Sequence, residues 1–374
     1  MIEVSRLLHV KNKQVLLTHN FIVMPKAAQI KKELTSKATK IIENKVAPQL
    51  HFLNMVDEVI SLTETVTWSA RDIAESIAED TPRNTSGNAN KFSKSTGLAI
   101  SGAEFHETIS MNQIFTSIIG FGDDETISSR KYEAFLNEID RQSTLIIDKF
   151  TRRNELTCNQ IMNTGVVQYK HAGSFDFDRP ATSMVDLGAP AYWSIADAPI
   201  KDQLSAVPVY FRTVAGYHGK EFDMTISTEA LMLFERTNYY LGETLKKNVV
   251  DIERLRPMSI SNNATYMYTL KVGSAYFHVW VSDGKAKGAQ GGPGLESYMP
   301  TNKVVFTPVN FKVAELTYFP VDAVVGSDIK YLLNKQTVWD AVDQDRSTMT
   351  KHIKSRTNVI MYYNKMVYTL QVLA

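Results

Sequence analysis

The chain is poor in what specialised chemistry requires. Cys158 is its only cysteine in 374 residues, so no internal disulfide can form and no thiolate metal cluster can be built within one chain. Synthesis in a reducing cytoplasm fits that composition. No excess of one charge exists either: 41 basic residues face 40 acidic ones, a net charge of +1. A dedicated nucleic-acid reader is usually strongly basic, whereas near-neutrality leaves little repulsion between copies of one chain. No uncharged apolar run reaches the ~20 residues of a membrane span. The first 30 residues carry Glu3, Arg6, Lys11 and Lys13, which a signal peptide's apolar stretch would lack. No repeat of fixed period is present, which argues against solenoids and propellers. What remains is ordinary globular composition, 44% hydrophobic and 22% charged. The length calls for two or three structural units rather than one core.

Five segments of different character follow one another. Residues 26 to 45 predict a basic amphipathic helix, with Ile30, Leu34, Ala38 and Ile41 at helical spacing and Pro48 stopping it. Six lysines against Glu33 and Glu43 give it a net charge of +4. It is either a solvated face or an arm for an acidic partner. Ile60 to Trp68 alternates like a strand, Thr81 to Gly97 is a long polar loop, and Ile100 to Met111 returns to strand character. Together they predict an extended hairpin with little of its own chain to fold onto. Ser129 to Thr164 carries the strongest helical signal. Tyr132, Phe135, Leu136, Ile139, Ile146, Ile147 and Phe150 form a stripe that Cys158, Ile161 and Met162 extend. Ser128 or Ser129 can cap its start and Gly165 can end it.

After a loop from His171 to Pro199, a second amphipathic helix is expected over Thr228 to Lys247, with Leu231, Phe234, Leu241 and Leu245 on one face. Thr265 to Val272 and Tyr276 to Val281 predict a hairpin through Gly273-Ser274. Lys303 to Phe319, Val359 to Tyr363 and Met366 to Leu373 supply further strands, the last completing a sheet begun earlier. The fold class is α+β.

Catalytic and metal signatures stop short of completion. His106-Glu107 begins a zinc-protease motif, but Ser110 stands where the second histidine must be. No two of the eight histidines are four apart, so they read as satisfied surface or core residues. Gly219-Lys220 and Gly284-Lys285 lack the hydroxyl that a phosphate loop places next, since Glu221 and Ala286 follow. The glycines at 288, 291, 292 and 294 do not have dinucleotide spacing and read as a loop. Asp176 and Asp178 are spaced like calcium ligands, but Arg179-Pro180 follows and they read as a turn. Cys158, on the helix stripe, reads as core rather than nucleophile. No catalytic, cofactor-binding or metal residue is assigned.

The order of these parts is similar to the major capsid protein of tailed bacteriophages, in the lambda-type group of the Hong Kong phage capsid fold. The resemblance runs over most of Val46 to Ala374 and rests on local phrasing. It is carried by Arg141 to Gln168 before His171 to Asp178, by Asp223 to Glu235, by Tyr298 to Phe306, and by the ending Thr357 to Ala374. It implies an N-terminal arm (1–50), an extended loop reaching over a neighbour (51–111) and a peripheral domain with a spine helix (112–204). An axial domain (205–345) and C-terminal strands returning to the peripheral domain (346–374) would follow. It further implies hexamers and pentamers in an icosahedral shell, a virion location, partners such as scaffold, portal and decoration proteins, and only non-specific proximity to packaged DNA. Some relatives cross-link subunits through lysine and asparagine; Lys91, Lys94, Asn88 and Asn90 lie in the corresponding loop. The alternatives are a tail-tube or portal component, an enzyme with an unrecognised site, and a nucleic-acid binder using the Lys26 to Lys45 arm.

Overall fold

The computed structural model describes residues 50–71, 98–119, 129–246, 263–287, 294–325, 328–343 and 348–374. The expected helix over 26–45, the polar loop 81–97 with its lysines and asparagines, and most of the glycine run 288–294 lie outside them. In chain order the strands begin with β1 (Val56–Ile60), β2 (Thr65–Trp68), β3 (Leu98–Ser101) and β4 (Ala103–Ser110). Helices α1 (Met111–Ile119) and α2 (Ser129–Thr164) follow, then β5 (Val166–Tyr169), β6 (Gly173–Asp176) and β7 (Met184–Asp186). Next come α3 (Ile200–Thr213), β8 (Glu221–Ile226), α4 (Thr228–Arg236), α5 (Asn238–Lys246), β9 (Ala264–Val272) and β10 (Ala275–Ser282). The chain continues with β11 (Lys285–Lys287), β12 (Leu295–Ser297), β13 (Lys303–Pro308), β14 (Ala314–Tyr318), β15 (Val321–Val325) and β16 (Asp328–Leu332). It closes with β17 (Thr337–Asp343), β18 (Thr348–Ile360) and β19 (Tyr368–Gln371).

Two mixed sheets organise these elements. One runs β7-β19-β13-β8-β10-β9, and the other runs β1-β14-β18-β17 with β4 also on β18. The 13-residue β18 is the hub of the second: Thr357 pairs with Ala103 on one edge and Tyr318 on the other. Strands β2 and β3 pair only with each other, from Thr65↔Ser101 to Trp68↔Leu98, as the root of the expected hairpin. The expected turn Gly273-Ser274 joins β9 to β10, with Gly273 at φ 60° where glycine has no steric penalty.

The helix α2 has the expected bounds and is 36 residues long, about 54 Å at 1.5 Å per residue. Its stripe serves two cores. Phe135, Ile139, Ile146, Ile147 and Phe150 pack with α1, Ile109 and Ile353 in one. Cys158, Ile161 and Met162 enter the larger one, with Phe222, Phe277, Phe306 and Leu370 of the six-stranded sheet. Gly165 ends the helix at φ +75°, and its N–H donates to Ile161 O at 2.8 Å, closing the last turn.

Three expectations are corrected. The helix over Thr228 to Lys247 is two helices, because Thr237 is extended at φ −70°, ψ 147° and its hydroxyl donates to Phe234 O at 2.6 Å. Leu241 is consequently exposed rather than in the stripe with Leu231 and Phe234. The strand expected up to Met111 stops at Ser110, where α1 begins. The last strands run Thr348–Ile360 and Tyr368–Gln371, and they enter different sheets. The five-stranded sheet also takes β14 and β17 from the stretch 205–345.

Candidate assembly surfaces

The residues examined for chemistry are placed plainly. Cys158 is fully buried, and burial pushes its thiol well above the ordinary range, the opposite of an activated nucleophile. Asp176 accepts the Asp178 N–H at 3.0 Å in an exposed turn, with Asp178 at φ 46°. Gly219 and Gly284 sit at strand ends beside Tyr217 and Tyr298. His106 on β4 meets a histidine from a distant part of the chain: its Nε2 lies 2.8 Å from Nδ1 of His352 on β18, and both rings stack with Trp339. No group of three metal-ligating side chains occurs among the described residues. No described helix is long and apolar enough to cross a membrane.

What sequence reasoning missed is a buried polar knot. Glu155, fully buried on α2, accepts the N–H groups of Phe52 and Leu53 at 3.1 and 2.9 Å and the Asn263 amide at 2.8 Å. The Asn263 oxygen in turn accepts the His51 N–H at 2.8 Å, and the His51 ring bonds the Thr225 hydroxyl of β8 at 2.8 Å. Burial raises the Glu155 pKa and lowers that of His51 to about 4. The knot fastens the chain leading into β1 to both α2 and the six-stranded sheet. Nothing in the sequence singled out Glu155, because its partners are 103 and 108 residues away.

Arg179, dismissed above as the residue that spoils a calcium loop, is a second fastening. Its guanidinium donates to Met162 O at 2.6 Å, Ser183 O and Val367 O at 3.1 Å, and the Thr369 hydroxyl at 3.1 Å. A cation is thereby held at the C-terminal end of α2 and tied to β19. Burial lowers its pKa to about 10, so it stays charged at neutral pH.

Several apolar side chains find little cover among the described residues. Ile329 and Tyr331, on one face of the β15–β16 hairpin, are 71% and 64% exposed, and Leu62 after β1 is 79% exposed. Val209 and Met232 project from α3 and α4. The Ile329–Tyr331 pair is the clearest exposed apolar feature among the described residues; the others stand singly on separate elements.

No family model matches the chain, and no curated protein sequence does. Solved structures do match. One described as a prophage capsid protein from E. coli CFT073 has a TM-score of 0.54 at 11% identity, over 91% of this chain and 99% of that one. A phage-related protein from Bordetella bronchiseptica RB50 gives 0.49 at 9% identity, over 90% and 96%. The chain has the phage capsid fold. The expected α+β class and the expected capsid fold are thus the observed ones.

Proposed function

We propose that the chain is a major capsid protein, a structural subunit that self-assembles into hexamers and pentamers of an icosahedral head around a phage genome. The carrying observation is the capsid fold together with the β15–β16 hairpin, whose Ile329 and Tyr331 the described residues leave exposed. A closed shell supplies the missing cover through heterologous contacts repeated around each ring. Contacts spread over several neighbours exceed the ~1,600 Å² of an ordinary pair, so individually weak ones suffice.

In this reading residues 1–50 are an arm, and 112–204 with 346–374 are the peripheral domain around α2. Of the stretch 51–111 expected as the extended loop, β1 and β4 belong to the five-stranded sheet, which leaves the loop to the part between them. Residues from 205 onward are the axial domain, built on the six-stranded sheet; β14 to β17, although within 205–345, pack on the peripheral side with β18. The subunit has no catalytic chemistry of its own and resides in the virion after synthesis in the host cytoplasm. Scaffold, portal and decoration proteins are its further partners. Negative-stain microscopy of the expressed full chain tests the proposal. Rings, shells or shell fragments are expected; a monodisperse monomer at all concentrations would end it.

A further inference from the structure

A groove of about 930 Å³ opens between α2, the β5–β6 turn and the start of β4, at the root of the β2–β3 ribbon. Two arginines line it, Arg153 of α2 and Arg356 of β18. Backbone oxygens, not carboxylates, hold both: Arg153 donates to Gln168 O at 3.0 Å over the Tyr169 ring, and Arg356 donates to Gly102 O at 3.3 Å. Gly102 is needed for the second arrangement, since a Cβ there would come within 2.8 Å of the Arg356 Cγ. Each guanidinium has five N–H donors in a fixed fork, so most remain available. Lys170 and His171 add basic groups at the rim. The one acidic residue lining the groove, Glu104, is already paired with Lys354 at 2.8 Å. A fixed positive site that no carboxylate among the described residues compensates calls for an anion.

We propose that the groove accepts a carboxylate-bearing segment of a second copy of this chain, as one of the contacts through which copies associate. This rests on the shell-subunit reading. The charge distribution favours a polypeptide over nucleic acid. The site's positive charge is confined to a few side chains, and the chain has no general basic excess, 41 against 40, whereas phosphate binding relies on many cations along a track.

The test compares the full chain with R153Q/R356Q and with R153K/R356K by sedimentation velocity across a concentration series at low and high salt. A melting curve on each variant confirms that it folds. The neutral double variant is expected to fold as wild type but to need about tenfold more protein for half-maximal association, losing most of the salt dependence. The lysine variant, which restores charge, recovers most of the association. A folded neutral variant that associates like wild type overturns the groove contact while leaving the shell reading intact. Wild type that never associates overturns the shell reading first and the groove with it. If the neutral variant instead associates normally but loses binding to short duplex DNA, the groove is a phosphate site and the proposal is wrong.

Discussion

His51 and Glu155 are joined through one asparagine, and burial moves their pKa values so that they pull stability in opposite directions with pH. His51 has a folded pKa of about 4 against an ordinary 6.5, so the unfolded chain takes the proton more readily. Its contribution is complete above pH 6.5 and is lost as pH falls toward 4, a loss of roughly 3 kcal/mol at most. Glu155 is raised above 4.5 by burial, so the folded chain holds its proton more readily, and its contribution is lost as pH rises through the folded value. Urea midpoints measured from pH 4 to 8 should therefore fall less steeply on the acid side in H51Q than in wild type. In E155Q the midpoint should fall less on the alkaline side. Unchanged slopes in both variants would remove these groups from the pH response.

Helix ends decide how the elements join. The spine α2 stops at Thr164 because Gly165 takes φ +75°, and a Cβ at that position would lie 2.7 Å from the Arg179 Cγ. G165A therefore combines left-handed strain with displacement of the arginine that binds Met162 O and Val367 O. A loss of about 2 kcal/mol or more is expected in thermal or urea denaturation; wild-type melting would refute the account. No helix is among the sequence expectations at α3, whose Leu204, Val207 and Phe211 are fully buried at helical spacing with Pro208 among them. The helix whose limits the pattern misjudged has a local cause. The Thr237 hydroxyl turns a periodic run into α4 and α5, a competition of side chain with backbone that periodicity does not register.

At the scale of the molecule, the C-terminus is structural rather than trailing. The strand β19 lies between β7 and β13, with Leu370 and Val372 buried. A chain ended after Val367 uncovers the β13 edge and leaves Arg179 without the Thr369 hydroxyl. It should be insoluble or be digested at a protease dose the full chain survives. Equal protease resistance would show that β19 is dispensable. The larger core that α2 enters takes Trp68 of β2 and Ile100 of β3, so the ribbon is anchored in the body, and the buried Val321 and Ala323 anchor β15 of the apolar hairpin.

Much of what depends on neighbours along the chain was legible beforehand: the bounds of α2 and its glycine stop, the Gly273-Ser274 hairpin, the β2–β3 pairing, the burial of Cys158 and the α+β class, with the break at Thr237 the exception. Periodicity, turn chemistry and phrasing are local properties, and they survive being written in one dimension. Tertiary structure alone decided which sheet each strand joins, that His106 meets His352, that Glu155 and Arg179 are fastenings, and that Arg153 and Arg356 share a groove. Those facts arise from partners roughly 100 to 250 residues apart. The energy of burying a charge is set by whatever the fold brings around it, and no pattern of near neighbours encodes that.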